Sequence, residues 1–176
     1  MEQVVEASTG ERRTEVMMRL FTDYQVERFN ELYYQKRASQ VRKQAMWAKV
    51  ASALAASAAL TSMLAGSPLG TTILQLLTAI AAVSAAIGPL LGWDSKVSQL
   101  ERAMLGHAIA KDRLRNLLRD LKLSELTEAH QAREAEIVAL RDALTAFDEP
   151  PNQSVREKCW QQVEKDLPSD QAWSLI

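Results

Sequence analysis

Between Val50 and Trp93 the chain contains no Asp, Glu, Lys, Arg or His, a run of 44 residues. All 43 Lys, Arg, Asp and Glu residues lie in the other 132 positions. A soluble amphipathic element needs a wet face, and this window offers none. Cysteine is nearly absent too: Cys159 stands alone, which excludes an intramolecular disulfide. Glycine and proline are missing from Glu11 to Ala65, so nothing interrupts a helix there.

Catalytic equipment is equally sparse. The two histidines, His107 and His130, are 23 residues apart, and Cys159 has no neighbouring His or second Cys. A metal site or an activated thiol is therefore not expected. His107 falls in an apolar stripe and reads as a core residue rather than a ligand. No Gly-rich phosphate loop, nucleophile elbow or zinc-protease motif occurs. Enzymatic activity and a cofactor are not expected. The net charge of −1 gives no general affinity for nucleic acid, and direct nucleic-acid binding is not expected.

What is present is helical patterning, with no strand signal. Residues 1–10 read as a frayed tail. Val16, Leu20, Tyr24, Phe29, Leu32 and Tyr33 recur at three- and four-residue spacing in an N-terminal cytoplasmic helix, within 1–45. The uncharged window breaks once, at Gly66-Ser67-Pro68-Leu69-Gly70. That divides 46–93 into segments 46–64 and 71–93 around a turn at 65–70. At 1.5 Å per residue each reaches roughly 28–34 Å, about one hydrocarbon core. A two-helix transmembrane hairpin is therefore expected. The competing reading is an Ala-rich soluble hairpin covered by other helices.

Charges return in 94–147, where Leu100, Ala103, His107, Ala110, Leu114, Leu117 and Leu121 form a stripe. Ser124 is placed to cap a further helix carrying Ile137, Leu140, Leu144 and Phe147. Asp148 to Asn152 forms a linker, and a short amphipathic helix with Val155, Cys159, Trp160 and Val163 occupies part of 148–176. The expected class is all-α: a membrane hairpin with long cytoplasmic helices packed as a helical bundle or coiled coil.

Residues 36–49 hold Lys36, Arg37, Arg42, Lys43 and Lys49 and no acid, whereas the turn carries no charge. Basic flanks stay in the cytoplasm, so both termini of a multi-pass protein are expected there. Trp47 and Trp93 are the expected interface anchors. The first 49 residues contain no leader-type apolar run, so the first span is expected to act as its own insertion signal.

Small residues run in rows: Ala51, Ala55 and Ala59; Ala81 and Ala85; Ser84 and Gly88. Such rows allow close helix approach in lipid. Thr71, Gln75 and Thr78 share one polar face, a candidate oligomer face or pore lining. Alternatively, Gln75 and Thr78 bond within the hairpin, or Gln75 reaches the outer interface. Lys111, Arg115, Arg119 and Lys122 form a basic row suited to an anionic ligand or lipid headgroups. The plainer reading of that row is a solvated face partnered by Asp112 and Asp120. Six acids against three bases in 148–176 suggest a segment that folds back on 111–122.

Tyr33-Tyr34-Gln35-Lys36-Arg37 leads into the first span through Ala45, Trp47 and Lys49, and the hairpin ends in Gly88-Pro89-Leu90-Leu91-Gly92-Trp93. Over residues 25–147 this arrangement resembles the SLATT family of two-transmembrane effectors of bacterial conflict systems. The resemblance implies a homo-oligomeric, membrane-permeabilising effector of antiphage defence that causes abortive infection. It implies activation by a nucleotide-signal synthase, a nucleotide sensor or a reverse transcriptase ribonucleoprotein. The alternative is a membrane anchor or scaffold that tethers a helical partner-binding region without permeabilising.

Overall fold

A computed structural model of the chain describes residues 2–63, 92–144 and 151–168, with Thr72, Leu76, Ala79 and Val83 between them. Of 2–9 and 55–63 it describes only the backbone. All regular structure among the described residues is α-helical: α1 (Glu2–Met63), α2 (Trp93–Leu123), α3 (Glu128–Leu144) and α4 (Gln153–Asp166). Two compact units emerge, residues 1–36 with 100–176, and residues 37–99. Both boundaries fall inside helices rather than at linkers.

α1 runs for 62 residues. The frayed tail expected at 1–10 is instead helix from Glu2, and Gly10 does not interrupt it. Thr14 and Thr22 donate from their hydroxyls to the carbonyls of Gly10 (3.0 Å) and Met18 (3.1 Å), so each satisfies itself within the helix.

In the first unit α1, α2, α3 and α4 bury two neighbouring cores. Met17 and Leu20 of α1 meet Leu114, Leu117, Leu118 and Leu121 of α2 and Ile137 of α3. All seven residues of the expected α2 stripe are buried, together with Gly106 and Leu118, which the spacing did not single out. Each fully buried leucine contributes about 1.5–3 kcal/mol. Gly106 has a steric reason: a Cβ there would collide with Leu144 Cδ2 and lie 3.0 Å from Cδ1. The missing side chain is what lets α3 approach α2 so closely.

Ser124 does not cap α3. Its hydroxyl and its N–H both donate to the Asp120 carbonyl, at 2.8 and 3.0 Å, which closes the end of α2. Thr127 starts α3, and its N–H donates to His130 Nδ1 at 3.1 Å. That is one half of a capping box, a side chain three residues on accepting from the cap N–H, with His in place of Glu, and it falls three residues after Ser124. Arg13 reaches across from α1 and donates through Nε to the Leu121 carbonyl at 3.0 Å.

The second core forms where Val155, Cys159 and Val163 of α4 pack on Leu32 and Tyr33 of α1. Asn152 caps α4 by accepting from the Val155 N–H, and its own N–H donates to the Tyr33 hydroxyl at 3.1 Å. The Trp160 ring sits edge-on to Phe29 with centroids 5.5 Å apart. The expected fold-back of this segment on 111–122 is thus corrected: α4 lies on α1. Apolar burial along Val155, Cys159 and Val163 outweighs the surface charge difference that suggested otherwise.

In the second unit, α1 presents Met46, Trp47, Val50 and Leu54 to the exterior, with Trp47 and Leu54 both 66 % exposed. Leu76 and Val83 are helical and similarly exposed. Gly92 adopts a left-handed φ of 55°, open to glycine, immediately before α2 begins. Among the described residues no helix is long and apolar enough to cross a membrane. The expected turn at 65–70 and most of the segment 71–93 lie outside the described residues.

Candidate functional site

The seam of α1 follows alternating steps of three and four through Met17, Leu20, Tyr24, Glu27, Glu31 and Tyr34. That is the spacing of a helix packed along its length, yet two positions in the middle hold carboxylates. On α2 the matching positions include His107, and Lys111 lies one turn further on. The first unit therefore carries a block of charge inside an otherwise apolar seam.

Glu27 is 1 % exposed, and both its oxygens are used. His107 Nδ1 lies 2.7 Å from Oε2, and Arg141 Nε of α3 lies 2.8 Å from Oε1. A carboxylate only accepts, so His107 Nδ1 is the donor in this contact. Arg141 Nη1 also donates to Asp23 Oδ1 at 2.9 Å, one turn back along α1. The Tyr34 ring stacks on the His107 imidazole, 5.3 Å between centroids and 7° from parallel.

A second rung lies one turn on. Lys111 Nζ donates to Glu31 Oε2 at 2.9 Å, and Arg28 Nη1 donates to the same oxygen at 2.8 Å. Burial acts to raise the Glu31 carboxyl, but the hydrogen bonds and positive charges of Lys111 and Arg28 outweigh it. The net result lies below the ordinary carboxylate value. No described buried side-chain nitrogen or oxygen lacks a partner. The ladder Asp23–Arg141–Glu27–His107, with Glu31–Lys111, ties three helices in one register.

Other expected site residues fall elsewhere. Lys111 is engaged with Glu31, whereas Arg115, Arg119 and Lys122 are exposed on α2. Asp120, assigned in the plainer reading to that row, instead pairs with Arg133 of α3 at 2.6 Å. Asp112 lies 3.7 Å from Lys111. Trp47 is exposed and Trp93 half-buried, both in the second unit. Thr71, Gln75 and Thr78 lie outside the described residues.

Periodicity pointed to His107 but not to Asp23, Glu27, Glu31 or Arg141. The available signal was the seam spacing itself, which makes Glu27 and Glu31 seam residues despite their charge. Cys159 is buried, and burial raises its thiol above the ordinary value although Lys36 acts in the opposite direction. Among the described residues no cluster of three or more His, Cys, Asp or Glu has the arrangement of a metal site. Comparison with known proteins returns no match: no family model, curated protein or solved structure corresponds to this chain.

Proposed function

We propose that the protein is a membrane-permeabilising effector of bacterial antiphage defence, inserted through 46–93 with both termini in the cytoplasm. The observation that carries this reading is the 44-residue uncharged window, which follows a flank of five bases without an acid. The exposed Met46, Trp47, Val50 and Leu54 on α1 support it, since a lipid boundary is one environment that accepts such a row. The resemblance of residues 25–147 to the SLATT family points the same way.

In this reading the Ala- and Ser-rich composition of 46–63 is the mark of a segment that packs against other helices of its kind. Several copies bury Thr71, Gln75 and Thr78 against one another or around a lumen. The first unit is the cytoplasmic receiver. Its charge ladder holds α1, α2 and α3 in one register until a partner (a nucleotide-signal synthase or sensor, or a reverse transcriptase ribonucleoprotein) changes it.

Induced expression in a bacterium, with membrane potential followed by a voltage-sensitive dye and localisation by alkaline carbonate extraction, tests this. Carbonate-resistant protein with depolarisation supports an effector. Carbonate-resistant protein that leaves the potential intact when its partner is supplied identifies a passive anchor. Extraction into the carbonate supernatant defeats both membrane readings.

A further inference from the structure

α2 buries one face in the first unit, through Ala103, Gly106, His107, Ala110, Leu114 and Leu117. Its opposite face carries a second row at alternating steps of three and four: Arg102, Leu105, Ile109, Asp112, Asn116 and Arg119. All six lie in the first unit and are exposed, Leu105 at 58 % and Ile109 at 43 %. That is the spacing of a helix that meets another helix along its length. Two exposed aliphatic side chains one turn apart are ordinary on a surface. The order of the charges around them is not.

Arg102, Leu105, Ile109 and Asp112 are separated by three, four and three residues, a spacing that is the same read from either end. A second α2 laid alongside in the opposite direction, centred at the level of residue 107, completes the pattern. Leu105 then meets Ile109 of the second copy, and Arg102 meets Asp112 of the second copy. Each contact occurs twice, as two-fold symmetry requires. Laid in the same direction, the two helices would set Arg102 on Arg102 and Asp112 on Asp112, which like-charge repulsion disfavours. The Asp112 carboxylate is open to a new partner. Its side chain is 67 % exposed and lies 3.7 Å from Lys111, whose ammonium already donates to Glu31 at 2.9 Å.

We infer that the outer face of α2 is the interface of an isologous dimer, in which a second copy of this chain packs antiparallel along residues 102–112. The contact is about 15 Å long, so the pair is weak and concentration-dependent. A lipid surface would use Leu105 and Ile109 but would desolvate Asp112 without a partner. An unrelated helix would need an acid opposite Arg102, a base opposite Asp112 and apolar residues between them. A second copy supplies that order already. The dimer does not rest on the membrane reading, because every residue in it belongs to the first unit. Its helices run in opposite directions, so it is also a different contact from the packing of 71–78 between copies.

The test mixes two differently tagged preparations of the full chain in mild detergent, both C159A and checked for unchanged helicity. Oxidation joins L105C of one to I109C of the other, and the mixed-tag dimer is quantified on a non-reducing gel. The expected result is strong 105–109 cross-linking and much weaker 105–105 cross-linking. R102D in both preparations, or D112R in both, places like charges in both contacts and lowers the yield by about tenfold. R102D in one preparation and D112R in the other sets opposite charges together again in both contacts, and restores the yield. K165E, an equal change of charge on the exposed side of α4, leaves it unchanged.

A 105–105 yield equal to the 105–109 yield overturns the antiparallel pair. So does a yield that survives R102D in both preparations, or one that the mixture of R102D with D112R fails to restore. An equal fall in K165E overturns it too, by reducing the effect to net charge. Absence of any cross-link overturns the dimer, and in protein that still releases liposome dye it leaves the proposed function standing. The full cross-linking pattern in inserted protein that releases no dye supports the dimer and counts only against the proposed function.

Discussion

His107 Nδ1 lies 2.7 Å from Glu27 Oε2, in a seam where Ala103 and Ala110 flank His107 on α2 and Tyr24 precedes Glu27 on α1, and the second Glu27 oxygen is held by Arg141. Charge of this kind contributes little net stability compared with a hydrophobic isostere, yet removing one partner strands the other. Arg141→Ala is expected to destabilise by about 3–5 kcal/mol, and Glu27→Leu with His107→Leu and Arg141→Met to be neutral or stabilising. Thermal unfolding of the full chain in mild detergent measures both. A triple variant much weaker than R141A contradicts the ladder's role as a register device.

Acid should act through Glu31. Its folded carboxyl is held below the ordinary value, so its stabilisation is present above about pH 4.3 and is lost as pH falls through the folded value. Glu31→Gln should flatten that part of the stability curve. Lys111→Met removes one of the two groups that oppose burial, and should move acid unfolding to higher pH. A Lys111→Met protein with an unchanged acid limb refutes the pairing.

Gly106 and Leu144 are coupled by space alone. Gly106→Ala gains about 1 kcal/mol of helix propensity and meets overpacking of about 1–3 kcal/mol against Leu144. In a Leu144→Ala background the clash is gone, so the same substitution should become stabilising. A double-mutant cycle that shows simple additivity rules out the contact.

The Cys159 thiol reports on docking of α4. Buried and raised above its ordinary value, it should react with a disulfide reagent far more slowly than an unfolded control. Phe29→Ala removes the ring that Trp160 meets edge-on and should accelerate the reaction, whereas Arg115→Ala should not. Equal rates in all three proteins defeat the packing of α4 on α1.

Much of this arrangement is written in residue spacing. The stripe from Leu100 to Leu121 marks the buried face of α2, because only one face of that helix repeats at steps of three and four. The absence of Gly and Pro after Gly10 foreshadows an unbroken α1. Partners are harder to read. Val155, Cys159 and Val163 declare an apolar face, but nothing local says that it meets Leu32 and Tyr33 rather than α2. Glu27 and Glu31 hide because a carboxylate suggests a wet face, and only the tertiary pairing with His107, Lys111 and Arg141 reverses that. Ser124 and Thr127 are both good caps by residue type. The difference between them is three residues of turn, which composition does not encode.

In the proposed function, Gln75 and Thr78 are the residues expected to bear on mechanism. Replacing both with Leu is expected to leave insertion intact and to abolish toxicity, read as colony formation after induction together with carbonate-resistant protein. Full toxicity in a stably inserted double variant argues against a lumen or oligomer face built from them.

The central claim is permeabilisation, and dye release tests it most directly. Purified full-length protein is reconstituted into liposomes loaded with a self-quenched dye, and release is followed against the protein-to-lipid ratio, with and without the candidate partner. The proposed function predicts steep, concentration-dependent release, either spontaneously or once the partner is added. Inserted protein that retains the dye at every ratio, with the partner bound, contradicts it.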